Sequence, residues 1–198
     1  MVRRISRKKK WFSVEYLFNG TNTQKILYET LKKTSVFERL SQFNPALVGS
    51  FPICVNLPSS DVDILCETET LSEFKEFALK NFSMEINFSM IEKTFSGIET
   101  IVIRFQSHGF TFELFTQNIP VANQKAFIHL EAEEKLLNIF GEMLRETVIQ
   151  LKKQGNGTEK SFALAFGIDF NEYDFIEKIH ELKTSEIKNL FSLNLLPL

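Results

Sequence analysis

Tryptophan occurs once and tyrosine three times in this 198-residue chain, whereas phenylalanine occurs 21 times. Phenylalanine brings apolar area without a polar atom to satisfy, so most of these rings are expected in the core. Cysteine is scarce. Cys54 and Cys66 form no Cys-x-x-Cys pair and are read as reduced thiols, buried as small hydrophobes, in a cytoplasmic protein. Long apolar runs are missing: no stretch approaches the ~18 residues of a membrane-spanning helix. The basic start runs into Trp11-Phe12-Ser13-Val14-Glu15-Tyr16, too polar and too short for the apolar part of a signal peptide. Nor is there a surplus of one charge. A net charge of -2 argues against a general nucleic-acid coat, and no strong nucleic-acid signature or membrane partner is expected.

What is present is the composition of a water-soluble globular protein, with 43% hydrophobic and 24% charged residues. The length suits one domain, or one domain with a small appendage, and a chain of this size buries roughly 70% of the surface it exposes when unfolded. Charge is uneven along it. Arg3, Arg4, Arg7, Lys8, Lys9 and Lys10 form a basic head, which is read as a solvated terminus rather than a contact for phosphates or an acidic membrane.

The apolar pattern assigns elements. Thr21-Asn22-Thr23 offers N-cap oxygens for a helix carrying Ile26, Leu27 and Leu31, and Ser35 is placed to cap a second short helix. Ala46-Leu47-Val48 reads as a short strand ending at Gly49-Ser50. Pro52 and Pro58 make 51–60 a loop. Asp61 to Cys66 is strand-like, Leu71 to Phe82 fits a helix, and Met84 to Met90 alternates at period two. Ile98 to Phe105 and Phe110 to Phe115 read as a hairpin about the turn Ser107-His108-Gly109. Ala122 to about Lys153 reads as one long helix or two joined ones. Gln154-Gly155-Asn156-Gly157 breaks the chain before short final helices, the last over Ile187 to Leu196. The expected class is α/β (α+β), a mixed sheet flanked by helices with a helical C-terminal part. The expected divisions are a basic segment 1–20, an α/β core 21–120, and a helical part 121–198 packed on that core.

One cluster carries chemistry. Asp61 and Asp63 are two residues apart on a strand, so both carboxylates leave one face while Val62 and Ile64 enter the other. Two ionised acids on one face repel, and a cation relieves that cost. Oxygen-only ligands suit Mg²⁺ or Mn²⁺ rather than zinc. Gly49-Ser50, after a strand, can set backbone N–H groups and a hydroxyl beside a phosphate. Glu113 is the one acid of an otherwise apolar strand and needs a partner or a metal if buried.

In this order, Gly49-Ser50 followed by Asp61-Val62-Asp63-Ile64 and then Glu113 resembles the nucleotidyltransferase superfamily that includes polymerase beta. A closer resemblance is to a group of small bacterial proteins within it. Val48-Gly49-Ser50-Phe51-Pro52-Ile53, Ser60 to Ile64 and Phe112 to Val121 carry that likeness, with a weaker one at Thr158 to Ala163. Two departures stand out: Glu113 sits where Asp is commoner, and the segment after Ser50 has two prolines and lacks the basic residue often found there.

The resemblance implies a metal-dependent transfer of a nucleoside monophosphate from a nucleoside triphosphate to an acceptor it does not specify: a small molecule, a protein or an RNA end. Asp61, Asp63 and Glu113 would be both catalytic residues and metal ligands, and Gly49 and Ser50 the phosphate binders. The alternatives are a nucleotide-binding regulatory module without turnover and a metal-dependent phosphohydrolase.

Other polar residues have plainer readings. His129 and Glu133, one helical turn apart, suit a mutual contact better than a phosphate pocket. Gln117, Asn118 and Gln124 suit helix capping better than base reading. Lys125, Lys135 and Arg145 read equally as phosphate neutralisers or as a solvated helix face. Deleting residues 1–10 is expected to leave stability within about 0.5 kcal/mol of the parent and nucleotide binding unchanged. Denaturant melts and a nucleotide titration of the truncated chain check this.

Overall fold

The computed structural model describes residues 7–95 and 97–191. Arg3, Arg4 and the end of the expected last helix, beyond Phe191, lie outside these. Packing divides the chain into two compact units, the described part of Met1–Val48 with Ser60–Gln124, and Gly49–Ser59 with the described part of Lys125–Leu198.

The first unit is built on a five-stranded sheet. Its strands are β1 (Ala46–Val48), β2 (Val62–Glu67), β3 (Ile86–Phe95), β4 (Ile98–Ser107) and β5 (Phe110–Gln117), in the order β1-β2-β5-β4-β3. β2 and β5 run parallel, and every other pair is antiparallel. The β4–β5 turn is made by His108 and Gly109, with φ of 50° and 82°. Two positive-φ residues match the right-handed twist of the flanking strands and fix the hairpin register, with Ser107 opposite Phe110. β3 extends beyond the expected stretch to Phe95, because it pairs with β4 almost to the next turn.

Helix α1 (Asn22–Thr34) begins on a capping box. Thr21 Oγ1 accepts from the Gln24 N–H at 3.3 Å, and Gln24 Oε1 accepts from the Thr21 N–H at 3.1 Å. Helix α2 (Val36–Arg39) follows, but Ser35 does not cap it with its side chain. Ser35 is left-handed, with φ of 49°, and its hydroxyl donates back to the Lys32 carbonyl at 3.4 Å. It therefore ends α1 with its side chain, while its carbonyl accepts the first hydrogen bond of α2 from the Arg39 N–H at 2.8 Å.

Helix α3 (Leu71–Phe82) packs on β4 and β5. Its Phe82 stacks on Phe105, which stacks in turn on Phe112, with ring centroids 5.2 Å apart in each pair. All three rings are fully buried. Because side chains alternate along a strand, this packing commits Glu113 and Arg104, the neighbours of Phe112 and Phe105, to the opposite face. About half of the phenylalanines are buried in this way, most of the others are partly buried, and Phe18, Phe95 and Phe170 are exposed.

The second unit holds α4 (Lys125–Lys153), α5 (Thr158–Ala165), α6 (Glu172–Glu181) and α7 (Thr184–Phe191). Gly141 interrupts α4 with φ of 69° and ψ of -150°, so the long helix is two segments joined at a glycine. Phe140, Phe166, Phe175 and Phe191 form its aromatic core, with Phe166 and Phe191 centroids 4.5 Å apart. Among the described residues no helix is long and apolar enough to cross a membrane.

Replacing Phe105 by Ala is expected to cost about 3–5 kcal/mol, because it empties the middle of the three-ring stack. Urea unfolding followed by circular dichroism measures this.

Candidate active site

Hydrophobic alternation in β2 and β5 settles where the acids point. Val62, Ile64, Phe112 and Leu114 are fully buried, which turns the intervening Asp63 and Glu113 to the other face. The parallel register then sets Asp63 directly beside Glu113, while Val48 of β1 flanks Asp63 on its other side. Asp61 precedes β2 and keeps the parity of Asp63.

A residue not singled out from sequence completes the group. Arg104 of β4 is the cross-strand partner of Glu113. Its Nη2 lies 2.6 Å from Asp61 Oδ2, and its Nη1 lies 3.7 Å from Glu113 Oε2. The guanidinium therefore reaches across β5 to the start of β2. The Arg104 side chain is 51% exposed, against 26% for Asp61 and 32% for Glu113. Burial pushes the Glu113 carboxyl above the usual carboxylate range. Arg104 pulls it down, the like charge of Asp61 pushes it up again, and Lys93 opposes that, leaving it raised. The signal that finds Arg104 is the hairpin turn. With His108-Gly109 as a two-residue loop, counting back along both strands sets Arg104 opposite Glu113.

The donor set fits a hard divalent cation. It is all oxygen, and the like charge of Asp61, which adds to burial in raising Glu113, is one a cation relieves. Among the described residues, however, no three His, Cys, Asp or Glu side chains are already arranged to hold a metal ion. The positive charge that Asp61 meets is Arg104.

Gly49 has φ of 71°, a conformation that glycine tolerates and a side chain would strain. Ser50 is buried, and its carbonyl accepts from the Val55 N–H at 3.1 Å, closing a turn that contains Pro52. This turn packs with the helical unit, where Arg145 Nη1 donates to the Ile53 carbonyl.

Residues 29–187 match the family described as a domain of unknown function, DUF4269. The chain belongs to this family. Among curated proteins, none matches the chain at a significant level. In three dimensions it is similar to the Cid1 poly(U) polymerase. The MgATP-bound form aligns with a TM-score of 0.52 at 14% identity over 85% of this chain. The Mg 3'-dATP form aligns with a TM-score of 0.52 at 12% identity over 85%. The chain spans about half of those structures, 54% in each case. At such identities the likeness shows the fold, which is that of the polymerase-beta-like nucleotidyltransferases.

In this DUF4269 chain the remaining polar candidates have structural partners. Gln117 donates to Thr100 Oγ1 at 2.9 Å, and Gln124 to the Cys66 carbonyl at 2.7 Å, so neither caps a helix. Lys125 pairs with Glu177, and Arg145 with Glu142. Lys135 Nζ donates to the carbonyls of Ile179, His180 and Leu182 and so closes the end of α6. Cys66 is buried, and burial pushes its thiol up, away from reactivity.

His129 does not meet Glu133. Its Nδ1 lies 3.2 Å from Glu159 Oε1, and its ring stacks on Tyr173. Glu133 is buried instead near Glu159 and Lys152. Burial and then Glu159 raise its carboxyl well above the usual range, against the pull of Lys152. The folded chain therefore keeps a proton there that the unfolded chain releases. Stability is greatest below the ordinary carboxylate range and falls as pH rises through the raised folded value. Glu133→Gln keeps the shape without the titration. Its melting point should exceed the parent's by a few degrees (roughly 2–4 °C per kcal/mol recovered) at neutral pH, and the gap should close towards about pH 4. Parallel pH–melting curves for the two proteins would exclude Glu133 as the titrating group.

Proposed function

We propose that this chain is a metal-dependent nucleotidyltransferase, which moves a nucleoside monophosphate from a nucleoside triphosphate to an acceptor hydroxyl. The reading is carried by the register that sets Asp63 beside Glu113 on parallel neighbours, with Asp61 two residues ahead on the same face. It is supported by the fold shared with a polymerase described as bound to MgATP. Asp61, Asp63 and Glu113 would hold Mg²⁺ or Mn²⁺. A divalent ion there supplies charge to lower the pKa of an acceptor hydroxyl and to neutralise the triphosphate.

The protein's own part is orientation. β2 and β5 carry Asp63 and Glu113, with Asp61 just ahead of β2, on a stiff, twisted surface whose inward neighbours are locked in the core, so only the acid side chains, and not the backbone that carries them, would have to move to meet an ion. Gly49 would let the chain approach the phosphates closely, and the Ser50 hydroxyl and nearby backbone N–H groups would donate to their oxygens. The acceptor class, whether small molecule, protein or RNA end, is left to experiment. A nucleotide-binding module without turnover is the second reading, favoured by the Arg104 pair that already neutralises Asp61.

Asp63→Asn separates the two. It keeps size and hydrogen bonding but removes one charge. In an enzyme, the parent's melting point rises with Mg²⁺ plus ATP, the variant's rise is lost or much reduced, and turnover falls by about two orders of magnitude or more while the fold persists. A parent that responds to ATP alone, identically with and without Mg²⁺, and shows no pyrophosphate release decides for the binding module.

A further inference from the structure

We infer that Arg104 is a built-in counter-cation of the acid face, so that its pairing with Asp61 and the binding of a divalent ion by the same carboxylates exclude one another. The inference rests on the reading that these carboxylates take a metal. Three observations carry it. First, one guanidinium serves acids from two strands. It lies 2.6 Å from Asp61 and 3.7 Å from Glu113, although β4 and β2 are not neighbours. Strands lie about 4.8 Å apart, so the side chain must cross over β5, on the face that carries the acids.

Second, the guanidinium sits against the carboxylate oxygens of Asp61 and Glu113 that would hold an ion, so an ion can use them only when the guanidinium is displaced. Third, displacement is inexpensive. The Arg104 side chain is half exposed, and an exposed ion pair contributes little once solvent and salt screen it. A divalent ion among three carboxylates competes well against that. The freed side chain has open water to move into.

Arg104 therefore holds the acids together in the absence of metal, relieving the repulsion that Asp61 exerts on Glu113. It also sets a threshold concentration for loading. A merely structural ion pair would stabilise the fold equally with or without metal. A counter-cation stabilises only the metal-free state and opposes the ion.

The test is Mn²⁺ binding to the full chain by calorimetry, together with thermal melts in EDTA and in saturating Mn²⁺. The proteins are the parent, Arg104→Gln, Arg104→Lys and Asp63→Asn. Arg104→Gln should bind Mn²⁺ roughly three- to ten-fold more tightly than the parent. It should melt lower than the parent in EDTA and lose that deficit in Mn²⁺. Arg104→Lys should fall between the two. Equal affinities for the parent and Arg104→Gln, or a melting deficit unchanged by Mn²⁺, overturn the inference and leave the metal site standing. Mn²⁺ binding that persists undiminished in Asp63→Asn places the ion elsewhere and overturns it as well. If neither the parent nor Arg104→Gln binds Mn²⁺, the metal reading fails and takes this inference with it.

Discussion

The parallel pairing of β2 with β5 holds two carboxylates side by side, and much of the first unit can be understood as what makes that tolerable. Register puts Asp63 against Glu113, and Asp61 adds a third acid ahead of the strand. Burial raises the Glu113 carboxyl first, and the like charge of Asp61 adds to it. The sheet cannot relax by turning one acid away. A one-residue slip would drive Val62, Ile64, Phe112 and Leu114 out of the core. The apolar face thus enforces the polar one.

What offsets the repulsion is a cation supplied from the next strand. Arg104 occupies the position opposite Glu113 and reaches as far as Asp61. Guanidinium geometry suits this, since its several N–H groups can address carboxylates in more than one direction. The Phe82–Phe105–Phe112 stack fixes the strand next to it, so the hydrophobic core on one side places the charge on the other. Folding and site geometry are in this sense one constraint seen from two faces of the sheet.

The helical unit handles its charges differently. Lys135 is spent on three carbonyls at the end of α6, which compensates acceptors that a helix terminus leaves open. His129 is held by Glu159, which that contact keeps below the ordinary carboxylate range despite burial, while Glu133 stays raised beside them. These groups look like phosphate-binding candidates along the sequence, and their partners explain most of them as structural. Only a fold that brings α4, α5 and α6 together reveals this.

Much of the architecture was readable from residue order alone. The period-two alternation of β2 and β5, the 3.6-residue spacing in α3, the Thr21 cap and the glycine-marked turns are local signals. Each depends on neighbours a few residues away. They determined the mixed α/β class, most strand and helix positions, and the common face of Asp61 and Asp63. The His129–Glu133 contact was a local inference that failed, and Ser35 takes the N-cap position of α2 without the side-chain bond expected of it, because a residue's backbone conformation and best partner depend on what packs against it. Tertiary structure alone decided that Glu113 stands beside Asp63, that Arg104 reaches from Glu113 to Asp61, and that Lys135 faces carbonyls far along the chain. The physical reason is range: backbone periodicity is set within one turn or one strand, but a charge finds its partner by distance in space, and folding sets that distance across scores of residues.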